Sequence, residues 1–348
     1  LLQYAWSTSK TTEPTSTAWK TFTNGNTVTY SCGAGTYYLW TKVTDVAGNR
    51  ATSIKTSNAF TVGNYTITIT PSPTGWTNGN VTGTVAYASV LSQNRKAGYG
   101  TTLANAQSAA KANATSLTAT ANGYFYAEAT DTMGNKVTVS RQVTNIDKKA
   151  PTVSLSVNGG TFAKPTSGNA TIKTTLTASD TGGSGLKTLQ YAWSTSGTTQ
   201  PSTGWTTFTN GATVSTTRGV GTYYLWTNVT DNAGNRASSI KVSSAFKVVT
   251  SSITITPSPT GWTNGNVTAT ITYSSALTSN KKAGVGSTLA NATNAASTST
   301  ATKVTVTTNN YYIYAEATDS MGNKVTASRK ITNIDKKAPT VSLSVNGG

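Results

Sequence analysis

The sequence predicts an all-β chain of antiparallel β-sandwich modules, of two alternating types, arranged as an extended rod. Three observations predict it. Short runs of alternating polar and apolar residues follow one another with Gly-rich turns between them. Long blocks of sequence recur at a fixed spacing. Thr is abundant while Leu and Glu are scarce, which favours strands over helices.

The recurrence sets the organisation. LQYAWSTS begins at Leu2 and again at Leu189, TPSPTGWTNGNVT at Thr70 and Thr256, and TNIDKKAPTVSLSVNGG at Thr144 and Thr332, a period of about 187 residues. Within each period the motif D-x-[AM]-G-N-[RK] occurs twice, at Asp45 and Asp131 and then at Asp231 and Asp319. Type A modules carry GTYYLW before the Asp, and type B modules carry Y-[FI]-Y-A-E-A-T. The partition is type A over 1–63, truncated at its start, type B over 64–147, type A over 148–250 and type B over 251–335, with 336–348 as the first strand of a further type A module. The chain is therefore expected to begin and end in mid-repeat, cut from a longer array.

Each element follows from local pattern. The complete A module reads VSLSV, ATIKTTLTAS, TLQYAWSTS, ATVSTTR, TYYLWTNVT and SIKVSSAFKVV, separated by turn signals at Asn158-Gly159-Gly160, Thr181-Gly182-Gly183, Asn210-Gly211 and Asn232-Ala233-Gly234-Asn235. That density of short strands is the signature of a sandwich. In GTYYLWTNVTD, Tyr223, Leu225, Thr227 and Val229 share one face, and Tyr224 and Trp226 the other. Trp6 and Trp193 are expected in the core. The Ala-rich stretches 97–116 and 283–300 read as a short helix or a loop crossing one end of the B sandwich. At the B-to-A junction NIDKKAPT, Pro151 and Pro339 restrict the backbone and predict a short, stiff joint.

The run G-x-Y-Y-L-W followed by V-T-D-x-A-G-N-R and then I-D-K-K-A-P-T-V-S resembles the bacterial immunoglobulin-like repeats of large cell-surface proteins and adhesins, over essentially the whole chain. The resemblance implies an extracellular setting at the bacterial surface and a stalk that holds a terminal binding domain away from the cell. It points to no particular ligand, and it implies that some such stalks are rigidified by calcium or by Lys-Asn isopeptide bonds.

Composition excludes several functions. Without His, Ser-His-Asp hydrolysis and His-containing zinc sites are ruled out. The single Cys32 corresponds to Arg218 in the second repeat, so nothing general depends on it. No apolar run is long enough to span a bilayer, no signal peptide opens the chain, and membrane insertion is not expected. The 27 Lys and Arg against 10 Asp and Glu, net +17, are scattered singly or in pairs, which suits a solvated surface or weak attraction to anionic envelope polymers or glycans and not a specific nucleic acid.

The site candidates are few. D-x-x-G-N reads as a turn in which the Asp caps local amides, or as part of a weak calcium site built in the B module from Asp131 and Asp147 and repeated at Asp319 and Asp335. No other cofactor is expected. Trp76 and Trp262, after a Pro-rich turn, are the candidate ligand contacts. Glu128 and Glu316 read as ordinary strand residues or as the proton-shuttling acids of a Lys-Asn isopeptide bond. No catalytic residues are assigned and the chain is read as a non-enzyme. The expected function is a structural repeat region of a long surface fibre or adhesin stalk, with neighbouring modules of the same chain as partners. The alternatives are a glycan- or host-protein-binding module, or a filament subunit that self-associates laterally or head-to-tail by strand donation.

Overall fold

Residues 170–179, ATIKTTLTAS, show the rule by which this chain folds. Ala170, Ile172, Thr174, Leu176 and Ala178 are all buried, while the residues between them face outward. The structure, a computed structural model, describes residues 1–51, 57–237 and 243–344. It comprises two compact units, 1–74 with 80–144, and 75–79 with 145–348.

In the first unit, β1 (Leu2–Ser7), β2 (Lys20–Thr21), β3 (Gly35–Val43) and β4 (Phe60–Val62) form one sheet in the order β2-β1-β3-β4. Then come β5 (Ile67–Ser72), β6 (Val81–Tyr87), β7 (Gln93–Gly100), α1 (Leu103–Ser108), β8 (Lys111–Ala112), β9 (Ser116–Ala119), β10 (Gly123–Thr130) and β11 (Lys136–Val143). These strands make the sheets β5-β6-β9 and β11-β10-β7-β8.

In the second unit the complete A module contains β12 (Thr152–Leu155), β13 (Gly160–Lys164), β14 (Ala170–Ser179), β15 (Leu186–Ser194), β16 (Thr206–Thr207), β17 (Thr213–Arg218), β18 (Gly221–Asp231) and β19 (Phe246–Thr250). Its sheets are β12-β14-β17 and β13-β19-β18-β15-β16, antiparallel except for the parallel pair β13 and β19. The opening segment thus serves both sheets, first beside β14 and then beside β19. Phe162, Ile172, Leu176, Leu225, Val229, Phe246 and Val248 fill the space between them. The B module that follows contains β20 (Ile253–Ser258), β21 (Val267–Tyr273), β22 (Ser279–Gly286), α2 (Leu289–Asn294), β23 (Lys303–Val306), β24 (Tyr312–Thr318) and β25 (Lys324–Lys330), in sheets β20-β21-β23 and β22-β24-β25.

Three local outcomes refine the sequence expectations. The Ala-rich stretches begin as strand, and six residues of each form an α-helix, started by Thr102 or Thr288, whose hydroxyl accepts the amide of Asn105 or Asn291; Thr298–Thr300 adds a 3-10 turn to the second. The outer face of β18 is not open, because Trp226 is buried and donates its indole N–H to the Ser196 carbonyl in the loop that follows β15. The first A module has one sheet only among the described residues. Residues 27–32 of this module, which match β17 in sequence, form no strand here. Its aromatic residues cluster instead, with Trp6 stacked on Tyr30 at 5.6 Å and edge-on to Phe60 at 5.1 Å. In the tail, residues 336–344 form no strand, and the remainder of that expected strand lies outside the described residues.

Candidate functional site

The four D-x-x-G-N loops share one internal geometry. In each, the Asp Oδ1 accepts the Asn backbone amide and Oδ2 accepts the Asn Nδ2, at 2.7 to 2.9 Å. The glycine has φ between +85° and +93°, a conformation that favours Gly. This is the turn the sequence suggests. What differs is what lies against each loop.

The Asp45 and Asp131 loops are largely exposed, whereas Asp319 and Asp231 are 2% and 0% exposed. Asp319 Oδ2 also accepts the Ala163 amide at 2.8 Å. The neighbouring Asn323 accepts the Thr171 amide at 2.7 Å and donates to the Thr171 carbonyl at 3.0 Å. Thr166 adds a further clasp, its Oγ1 accepting the Thr326 amide and its amide donating to Lys324 O. Ala163 itself sits in the hydrophobic core of the following B module. The A-to-B joint is therefore a shared hydrogen-bonded and apolar surface.

The Asp231 loop receives the junction segment in the same manner. Asn235 donates its Nδ2 to the Asp147 carbonyl at 2.9 Å, and Asn78 donates its amide to the Ala233 carbonyl at 3.1 Å. Thr77 and Ile146 form a parallel bridge that ties the loop 75–79 to the junction. Here, however, carboxylates converge. Asp147, Asp180 and Asp231 each offer an oxygen within 4.8 Å of the others, the only such group among the described residues. Two unit charges about 4 Å apart repel by roughly 4 kcal/mol at an effective dielectric of 20, so three in one place need compensation. None of the five Lys-carboxylate pairs of the described residues involves them.

Backbone amides supply part of that compensation. Asp147 accepts from the Lys149 and Ser184 amides, and Asp180 from those of Gly182 and Gly185. Burial alone would raise the Asp147 carboxyl, but the Ser184 side chain and these amides outweigh it and hold its pKa below the usual range. The Ser184 hydroxyl lies beside that carboxylate, buried at 6% exposure, yet makes no hydrogen bond of acceptable geometry. Gly182 has no room for a side chain, since a Cβ there would fall inside the Asp147 carboxylate.

The structure therefore joins Asp147 to Asp180 and Asp231, in place of the expected grouping with Asp131. Asp131 is occupied by its own turn, Asp319 by its turn and Ala163, and Asp335 accepts the Lys337 amide. Asp180 escaped sequence reasoning because it does not recur within the chain as the other Asp residues do; an acid two residues before Gly182-Gly183 in a turn was the available signal. Trp76 is 40% exposed, with its ring 4.0 Å from where a Gly183 Cβ would stand, and Trp262 is 73% exposed. Glu128 and Glu316 are held in ionic clusters. Each accepts a Tyr hydroxyl at 2.7 Å, from Tyr126 or Tyr314, and pairs with two lysines, Lys96 and Lys136 or Lys282 and Lys324. Those lysines are about half exposed, unlike the buried Lys that an isopeptide bond needs.

No protein-family model matches the chain, and a search among curated proteins finds no match. Among solved structures it is similar to the FN1–FN3 domains of chicken CNTN1, at 9% identity and a TM-score of 0.31, covering 76% of this chain and 98% of that one. A stretch of titin domains gives 10% identity and 0.27, covering 78% and 99%, and a marsupial T cell receptor gives 12% and 0.27, covering 75% and 99%. Scores this low carry no argument, and the sheet order described above decides the class. The chain folds as tandem immunoglobulin-like antiparallel β-sandwich modules.

Proposed function

We propose that the chain is a structural repeat region of a long extracellular bacterial surface fibre or adhesin stalk, whose task is reach and stiffness. The observation that supports this most is the joint between the complete A and B modules, where Asp319 and Asn323 clasp Ala163 and Thr171 and the apolar core continues across the boundary. A flexible tether would have no use for such a clasp; a stalk that resists bending needs one at every joint. Near-duplication fits the same role, since modules that only stack and extend can be copied whole. The partners on this reading are neighbouring modules, with anionic envelope polymers or glycans as weak contacts of the basic surface. Electron microscopy of intact, unpermeabilised source cells, gold-labelled with antibody to this chain, tests the assignment. Label standing off the envelope is expected, and label seen only after permeabilisation refutes it.

A further inference from the structure

Beside the A-to-B clasp lies an open crevice of about 310 Å3, bounded by the end of β13, the linker between β19 and β20, and β25. Lys164, Thr166, Ser251, Ser252 and Thr326 supply its polar lining, and the buried Ile253 and Val325 an apolar one. Its charge is of one sign. The half-buried Lys164 enters no ion pair among the described residues, and the Ser251 hydroxyl is buried without a hydrogen-bond partner. The buried Asp319 carboxylate of the same joint is already matched by four N–H donors, from Ala163, Met321 and twice from Asn323. A free ammonium beside an apolar wall, with hydroxyl donors around it, is a setting for an oxyanion, since charge-assisted hydrogen bonds gain strength where water is displaced. The first repeat differs here. Tyr65 stands where the second repeat has Ser251, and Gly63 where it has Val249. The Tyr65 ring lies against Gly63, 2.6 Å from where a Cβ would stand. The second repeat thus has a hydroxyl in place of a ring at this point.

We propose that Lys164, Ser251, Ser252 and Thr326 form a binding site for a single oxyanion, a carboxylate or phosphate group carried on a polymer chain. The Lys164 ammonium supplies the charge, and the hydroxyls donate to the remaining lone pairs of the anion. The site gives the anionic contacts of the proposed function a fixed location; it rests on that part of the reading and is independent of the stalk assignment, which the labelled cells decide.

Titration of the whole isotope-labelled chain with inorganic phosphate and, separately, with D-galacturonate, followed by amide chemical shifts at constant ionic strength, tests this. Saturable shifts confined to the Thr166, Ser251, Ser252 and Thr326 amides are expected with at least one probe. A response to phosphate alone supports the site and assigns a phosphodiester polymer as its source; a response to galacturonate alone supports it and assigns an acidic polysaccharide. Lys164→Ala should weaken binding by about tenfold or more, the loss of one charged hydrogen bond. Ser251→Tyr should abolish it by introducing the ring of the first repeat, and Lys173→Ala, on the exposed face of β14, should leave it unchanged. Dispersed spectra confirm that each variant is folded; Ser251→Ala removes only a hydroxyl and should still weaken binding if Ser251→Tyr fails to fold. No shift with either probe at roughly 10 mM, about ten times the Kd of a millimolar site, would overturn the site and leave the stalk assignment standing. So would shifts spread over the basic surface, full affinity in Lys164→Ala, or an equal loss in Lys173→Ala.

Discussion

Asn323→Ala should open the A-to-B joint, and the same change one repeat earlier should do almost nothing. Asn323 is 6% exposed and makes three bonds that the variant loses, an acceptance from the Thr171 amide, a donation to the Thr171 carbonyl and a donation to the Asp319 carboxylate. Two neutral bonds at about 1 kcal/mol each and one to a charged group at about 1.5 to 3 give roughly 3 to 5 kcal/mol. Asn135 makes the equivalent bonds to Asp131, but its loop is exposed and water replaces what is lost, so Asn135→Ala should cost under about 1 kcal/mol. A chain of several modules does not unfold in two states, so the readout is hydrogen exchange at single amides. The reporters are Ala163 and Thr326, which bond to Asp319 and Thr166 and not to Asn323. A loss of about 3 kcal/mol is about two decades in the opening equilibrium, so both amides should exchange on the order of 100-fold faster. Unchanged exchange at Ala163 and Thr326, or equal damage from Asn135→Ala, refutes the clasp.

Two further outcomes follow from packing and charge. Gly98→Ala places a Cβ 2.5 Å from the Ala106 carbonyl oxygen and 2.7 Å from the Ala110 nitrogen, both backbone atoms under α1, and should destabilise its module by about 1 to 3 kcal/mol or more in thermal denaturation; a wild-type melting curve would show that the helix moves freely. The Tyr126–Glu128 pair should give the same module a two-sided pH dependence. The Lys136 ammonium and the Tyr126 hydroxyl hold the Glu128 carboxyl below its usual range, so its contribution is complete above the unfolded value of about 4.3 and is lost as pH falls through the folded one. Burial and the bond to Glu128 push the Tyr126 hydroxyl up to about 12, so its contribution is complete below the unfolded value of about 10 and is lost as pH rises from there through the folded one. Glu128→Gln should flatten the acid limb of the melting profile and Tyr126→Phe the alkaline limb.

Strand content, module types and the D-x-x-G-N turn are legible in the sequence because each rests on contacts a few residues apart: the alternation in ATIKTTLTAS, or the Asp231 carboxylate reaching Asn235. The convergence of Asp147, Asp180 and Asp231 is not, because it depends on three segments 33 and 51 residues apart being brought to one end of a sandwich. The glycines of AGYG and AGVG look like turn formers and are in fact strand residues over which a helix passes at backbone distance. That β14 is the central strand of its sheet is not legible either, because periodicity shows a strand and not its neighbours.

Small-angle scattering of the whole chain reaches the central claim most directly. The proposed stalk, with four modules of about 30 to 40 Å each on strands of roughly 3.3 Å per residue, has an expected maximum dimension of about 120 to 160 Å. A single globule of this length would have a radius of gyration near 20 Å by the usual scaling. A value of about 35 to 45 Å with a rod-like distance distribution is expected, and one close to 20 Å would contradict it.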